Sequence, residues 1–406
     1  MILSSIRVFG DAVEDGNASY HQRDWDAAIG HYTKAIEQNA ASNVAYFDRG
    51  MAKMAKSDID GAIADYTKAI ELKPDHWTYY NNRANAKMAK RDVDDAIADY
   101  TKAIELNTNY ADAYLNRAFA RSGKGDALAA LGDYSKTLTL KPDCWQAYLG
   151  RATVEYIPNK QAGNVDFPLM AGDVANKIEA ALADYTKAIE LNPNAVNARK
   201  GRAYLLLLQW SFDPASSDST KSQNDLNLVI TDCSKIIESE PANASVYCQR
   251  GIAQNYRGNL NGALQDFGLA LQIDPANLKA LVNRGIIRQK QKESEKALVD
   301  FNQAKTLHPD QALLADINHR ISQIFFDRAK DKWLADDADG ALSDLNQTIE
   351  LNPRNTEAYK DRALAEQKQH DYQGAKVDLE KYLELAPGDS EARDAIDKLN
   401  KYLNNR

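Results

Sequence analysis

Cysteine is scarce. The 406-residue chain holds three, Cys144, Cys233 and Cys248, with no Cys-x-x-Cys spacing. So odd and scattered a set excludes a disulfide framework or a cysteine-built zinc site, and it fits a reducing compartment. Six histidines are present, none in a His-Glu-x-x-His spacing, so the usual helical zinc motif is missing. No P-loop, Gly-x-Gly-x-x-Gly or Gly-x-Ser-x-Gly occurs. Lys/Arg runs are absent and the formal net charge is -8, a balance that disfavours holding nucleic acid or an anionic membrane. No apolar run reaches the ~18 residues of a membrane span. Residues 1–10 lack a basic segment followed by an apolar core, so no signal peptide is read. The chain is therefore expected to have no catalytic residues, metal or cofactor and no nucleic-acid partner. Its default compartment is the cytoplasm, or outside it if an N-terminal signal has been removed.

What the chain does have is repetition. Hydrophobic residues make up 44% and charged residues 27%, the balance of a folded chain. Residues 62–72 and 96–106 both read AIADYTKAIEL, residues 181–191 read ALADYTKAIEL, and AIGHYTKAIE begins at Ala28. With the opening small residue as marker, Ala28, Ala62, Ala96 and Ala130 stand 34 apart, as do Val229, Ala263 and Ala297, and Ala341 and Ala375. Four residues on comes a ring (Tyr32, Tyr66, Tyr100, Tyr134, Tyr185, Phe267, Phe301), and three further usually a small residue (Ala35, Ala69, Ala103, Ala188, Ala270, Ala304). Offsets of four and three share one helical face. Prolines 74, 142, 193, 241, 275, 309, 353 and 387 close these helices, because proline cannot continue one. A preceding helix carries a small residue at Gly50, Ala84, Ala118, Ala152, Ala203, Gly251, Gly285, Ala329 and Ala363, where two helices cross tightly.

The 34-residue period and this order of small, aromatic, small and proline resemble the tetratricopeptide repeat (TPR) over residues 9–389. The resemblance implies an all-α solenoid, a right-handed superhelix of ten helix-turn-helix repeats. These cover residues 9–42, 43–76, 77–110, 111–144, 145–195, 196–243, 244–277, 278–311, 322–355 and 356–389, after an N-terminal extension at 1–8. Residues 390–406 carry Ala392, Ile396, Leu399 and Leu403 at helical spacing and read as a capping helix. Three spacings exceed 34. The extra residues fall at 157–177 and 210–224, rich in Pro, Gly, Ser and Asp and read as loops, and at 312–321, whose helical periodicity lengthens a helix. The two loop inserts either decorate the binding region or are tolerated surface loops.

One feature departs from the common repeat. Arginine precedes the crossing residue (Arg49, Arg83, Arg117, Arg151, Arg202, Arg250, Arg284, Arg328, Arg362), and aspartate precedes the ring position (Asp65, Asp99, Asp133, Asp184, Asp232, Asp266, Asp300, Asp344, Asp378). The first repeat has neither, with Asp15 and His31 there. These residues could be a charged ligand stripe or a structural ladder of ion pairs within repeats. Their place beside the helix crossing favours the ladder, since an Arg fork grips a carboxylate with two hydrogen bonds. Bacterial-type TPRs that this chain resembles share the pair.

In the TPR family the first helices line a concave face that takes peptides. Positions two, five, nine and twelve of the repeats, with position six at Gln249, supply the candidate peptide-binding residues Met51, Met54, Asn81, Asn85, Met88, Leu115, Phe119, Leu149, Lys200, Tyr204, Gln249, Ile252, Lys279 and Ile286. Methionine adapts to varied partners, and amides both donate and accept. The carboxylate clamp of chaperone-binding TPRs finds only Lys200, Gln249 and Lys279, with Tyr204 and Asn283 replacing an asparagine and an arginine, so an Hsp70/Hsp90 co-chaperone role is rejected. The expected function is an adaptor or scaffold that binds a protein or peptide. The alternatives are a self-assembling structural scaffold and, behind it, an accessory array of a multi-subunit enzyme or of a secretion or envelope assembly.

Overall fold

The computed structural model describes residues 2–156, 171–212 and 220–404, and every regular element among them is an α-helix. The chain divides into two compact units, Met1–Pro214 and Ala215–Arg406. In the first, α1 (Ile2–His21) pairs with α2 (Trp25–Gln38), α3 (Asn43–Ala55) with α4 (Ile59–Leu72), α5 (Trp77–Ala89) with α6 (Val93–Leu106), α7 (Ala111–Lys124) with α8 (Ala127–Leu140), and α9 (Trp145–Tyr156) with α10 (Ala171–Leu191). The unit ends with α11 (Val196–Phe212). The second begins with α12 (Thr220–Ser239). Then α13 (Ala244–Tyr256) pairs with α14 (Leu260–Ile273), α15 (Leu278–Lys290) with α16 (Ser294–Thr306), α17 (Gln311–Leu334) with α18 (Ala338–Leu351), and α19 (Thr356–Lys368) with α20 (Tyr372–Leu385). Helix α21 (Ser390–Asn404) closes it. Within each unit every hairpin stacks on the next, which makes an all-α solenoid. None of the described helices is long and apolar enough to cross a membrane.

Short polar residues set the hairpin turns. Asp58 accepts a hydrogen bond from the Gly61 amide at 3.1 Å, and Asp24, Asp126, Asn259, Asp337 and Asp371 cap their second helices in the same way. Each satisfies an amide the helix itself cannot. The residue before these caps turns left-handed. Glycine takes that place at Gly125 (φ 86°) and Gly258 (φ 81°), but Ser57 (φ 66°) and Asp336 (φ 66°) hold it against their preference. The rings fill the crossings. Tyr66 is 1% exposed, and a Cβ placed on Gly50 would lie 2.7 Å from its Cε1 atom. Helix α21 buries Ala392 and Leu399 against Tyr382 and Leu379 of the last hairpin.

Parts of the expected layout change. Helix α1 begins at Ile2, so residues 2–8 are helical and not a separate extension. Residues 171–177 open α10, and 157–170 lie outside the described residues. Residues 210–212 end α11 and 220–224 open α12, leaving 213–219 outside the described residues. Buried Ser222, Leu226 and Val229 give the start of α12 its helical face. The 312–321 insert makes α17 a continuous helix of 24 residues with Ile317 and Ile321 buried. Cys144 and Cys248 are both buried, and burial pushes the Cys248 thiol up to about 12.

Candidate functional site

Arg49 grips Asp65 with two bonds, Nε to Oδ2 at 2.9 Å and Nη2 to Oδ1 at 2.7 Å. The same fork joins Arg83 to Asp99, Arg117 to Asp133, Arg151 to Asp184, Arg250 to Asp266, Arg284 to Asp300, Arg328 to Asp344 and Arg362 to Asp378. Arg202 lies in the first unit and Asp232 in the second. The third guanidinium nitrogen reaches back a repeat, as when Arg49 donates to Thr33, Arg83 to Thr67 and Arg202 to Thr186. A ring three residues earlier usually lies near the guanidinium, as Tyr46 does at 5.5 Å from the Arg49 carbon. Most of these aspartates take a second donor four residues beyond the arginine: Lys53, Lys87, Arg121, Arg288 and Lys332 as cations, and Gln254 as an amide.

The tenth repeat breaks that pattern with Glu366. Its Oε2 atom is buried without a partner. Burial, then Asp378, pushes its carboxyl up to about 7. A carboxyl held up in this way favours the folded state fully below its usual value near 4.5, and loses that advantage as pH rises through about 7. The stability of the last hairpins should therefore fall between pH 5 and 8, and Glu366→Gln should flatten the slope. Urea unfolding of both proteins at the two pH values checks this; equal slopes would refute it.

The fourteen candidate peptide-binding residues do not converge on one place. Met51 and Met54 pack half-buried on Ala62 and Tyr66, Met88 on Ala96 and Tyr100, Leu115 on Ala130 and Tyr134, and Leu149 on the Tyr185 cluster. Ile252 and Ile286 do the same in the second unit. Asn81 is buried and accepts from Asn116 at 3.2 Å, while Asn85 accepts from the Tyr100 hydroxyl at 2.6 Å and from Asn116 at 3.3 Å. These amides are engaged inside the array. Lys200 and Gln249 are half-buried, and Phe119, Tyr204 and Lys279 are exposed.

A better-formed site lies in the second unit. A cavity of about 290 Å³ opens between first helices α17 and α19. Ala329, Lys330, Trp333 and Leu334 of α17 and Asp361 and Leu364 of α19 form its walls, and buried Ala341 and Leu345 of α18 close its base. Trp333 is 37%, Leu364 47% and Leu334 83% exposed, an apolar group that water disfavours. The cavity has a cause in the sequence. Leu345 stands where repeats one to five carry tyrosine and repeats seven and eight phenylalanine, so no ring fills the space beside Ala329. Burial raises the Asp361 carboxyl, with Lys330 opposing the shift. The offsets that gave the first list, carried into repeats nine and ten, yield Lys330, Trp333 and Leu364. The missing ring at Leu345 was the further signal.

Two family models, both described as tetratricopeptide repeat, match the chain, one at residues 333–400 and one at 15–76, 47–113 and 81–136. A search of curated proteins finds no match. Among solved structures, a tetratricopeptide repeat protein from Parabacteroides merdae ATCC 43184 is 20% identical with a TM-score of 0.41, covering 70% of this chain and 98% of its own. MamA is 21% identical with a TM-score of 0.38, covering 46% and 93%. YrrB, described as a TPR protein with an unusual peptide-binding site, is 17% identical with a TM-score of 0.34, covering 62% and 95%. The chain belongs to the tetratricopeptide-repeat family. Its fold is that of a protein-interaction scaffold, a class typically without catalysis of its own.

Proposed function

We propose that this protein is an adaptor that binds an extended segment of a partner protein along its first helices. The pocket of repeats nine and ten takes a bulky apolar side chain of that segment. The observation that carries this reading is the cavity itself, with Trp333, Leu334 and Leu364 exposed at its walls. Such a cluster costs solvation when bare and gains it back when covered. Anchors of this kind, an aromatic beside a recess, dominate binding where they occur.

Pools of fluorescent dodecapeptides, each with one fixed residue, test it on the full chain. Pools fixed as Leu, Phe or Trp should bind best. Trp333→Ala should weaken them by about tenfold, the effect of losing ~1.4 kcal/mol. Equal affinity for Ser-fixed and Leu-fixed pools, or an unchanged affinity in the variant, would count against it.

A further inference from the structure

The walls of the apolar cavity carry two charges, Asp361 of α19 and Lys330 of α17. Asp361 is half-buried, and no described residue donates a hydrogen bond to it or forms an ion pair with it. A carboxylate drawn out of water is costly unless a cation or donor meets it. The other cations of the two helices are committed elsewhere. Arg362 forks Asp378, Arg328 and Lys332 bond Asp344, and Arg320 bonds Asp316. Lys360 bonds Asp389 at 3.0 Å, and Lys368 pairs with Asp336. Lys330 itself is exposed, with its Nζ over the Phe326 ring at 4.0 Å and no bond to Asp361.

Asp361 holds the sixth place of its repeat. Its equivalent in the fourth repeat, Asn116, donates to Asn81 and Asn85 of the preceding first helix, so this place faces the previous repeat. In the eighth repeat Asn283 turns back to the Lys279 carbonyl of its own helix at 2.8 Å, and in the ninth Asp327 is exposed. In the tenth the residue is a carboxylate, and what it faces is the cavity. Glu357 stands four residues earlier on α19, on the same side of the helix. Its charge adds to the rise that burial imposes on the Asp361 carboxyl. This wall therefore repels an anion and attracts a cation.

The cavity of about 290 Å³ is close to the lower end, roughly 300 Å³, of pockets that take whole small molecules. A residue seated there brings its backbone to the walls as well as its side chain. The occupant must then carry an apolar group and a positive charge to one small place. A lysine or arginine next to the apolar residue does not do so, because successive side chains of an extended segment point to opposite faces. The next side chain on the same face stands ~6.6 Å along the segment. The α-ammonium of a chain's first residue stays beside its own side chain and is charged at neutral pH. We propose that the cavity takes the N-terminal residue of a partner chain, an apolar residue such as Leu or Phe, with its side chain against Trp333, Leu345 and Leu364 and its free α-ammonium on the Asp361 carboxylate. The proposal rests on the pocket being the anchor for a partner segment, and it adds which end of that segment enters.

Dodecapeptide pools labelled at their C-termini test it on the full chain. One set has Leu first, with its amine free or acetylated; the other has Gly first and Leu sixth, treated in the same two ways. Free-amine pools with Leu first should bind at least about fivefold more tightly than their acetylated forms, a difference of ~1 kcal/mol. Acetylation should leave the Leu-sixth pools nearly unchanged, which sets apart a local contact from attraction by the acidic protein as a whole. Asp361→Asn should bring the free and acetylated Leu-first pools to equal affinity while thermal stability holds or rises, since no described residue bonds Asp361. Trp333→Ala should lower both pools and keep the ratio between them. Equal binding of the free and acetylated Leu-first pools, or a preference that survives Asp361→Asn, overturns the proposal and leaves the apolar pocket standing. Leu pools of both sets that bind no better than Ser-fixed pools overturn the pocket and the proposal together.

Discussion

Alanine in place of Arg250 should destabilise the second unit by about 3–5 kcal/mol, the range for removing one partner of a buried ion pair. Asp266 is 2% exposed and takes both fork bonds from Arg250; without them only the neutral Gln254 amide, at 2.7 Å, remains. The guanidinium also bonds Ser234 of the preceding repeat and lies over Tyr247, so three helices lose a common tie. Arg117→Ala in the first unit should cost less, because Asp133 keeps the cation of Arg121 at 2.7 Å. The order, Arg250 above Arg117, follows from the charge of the remaining donor and not from burial. In a solenoid each repeat leans only on its neighbours. Hydrogen exchange should therefore speed up most in α13 and α14 for Arg250→Ala, and in α7 and α8 for Arg117→Ala. Peptide binding by the folded variants should persist. Unchanged unfolding midpoints together with lost binding would make the arginine row a ligand stripe instead of scaffolding.

Phenylalanine at Leu345 should abolish most binding to the apolar pocket without harming the fold. Phe267 and Phe301 occupy the equivalent place fully buried, and Tyr100 does so beneath an alanine, Ala84, as Leu345 lies beneath Ala329. Phenylalanine brings no hydroxyl that would need a partner in the new site. The ring would fill the cavity from below and leave Trp333, Leu334 and Leu364 in place. A buried bulky side chain contributes roughly 1.5–3 kcal/mol, so Leu-fixed peptides should bind about 10–100-fold more weakly, while thermal stability stays level or rises. Full affinity in a stable Leu345→Phe protein would show that the pocket is not the anchor.

The solenoid was legible because its signal is redundant: a marker alanine, a ring and a closing proline recur at a fixed period, and no single lapse hides them. The helical starts of α10 and α12 were hidden because Gly172 and the serines of 215–222 look like loop residues. In α12 it is the later Leu226 and Val229 that reveal the face Ser222 shares. The binding face was harder still. Asn81 and Asn85 looked available to a peptide, but their partners Asn116 and Tyr100 stand 35 and 15 residues away in sequence and meet them only in the fold. Conversely, Leu345 looked like an ordinary core residue. Only repeats one to five, seven and eight, with rings in its place, mark it as the absence that makes a cavity.

Photo-crosslinking tests the central claim most directly. A Leu-selected peptide carrying benzoylphenylalanine at its apolar position would be irradiated with the full chain and the adducts mapped by mass spectrometry. Adducts on α17 and α19, around Trp333 and Leu364, are the predicted result. Adducts concentrated on the second helices instead, at exposed Leu128, Val299 or Val377, would contradict a binding face built from the first helices.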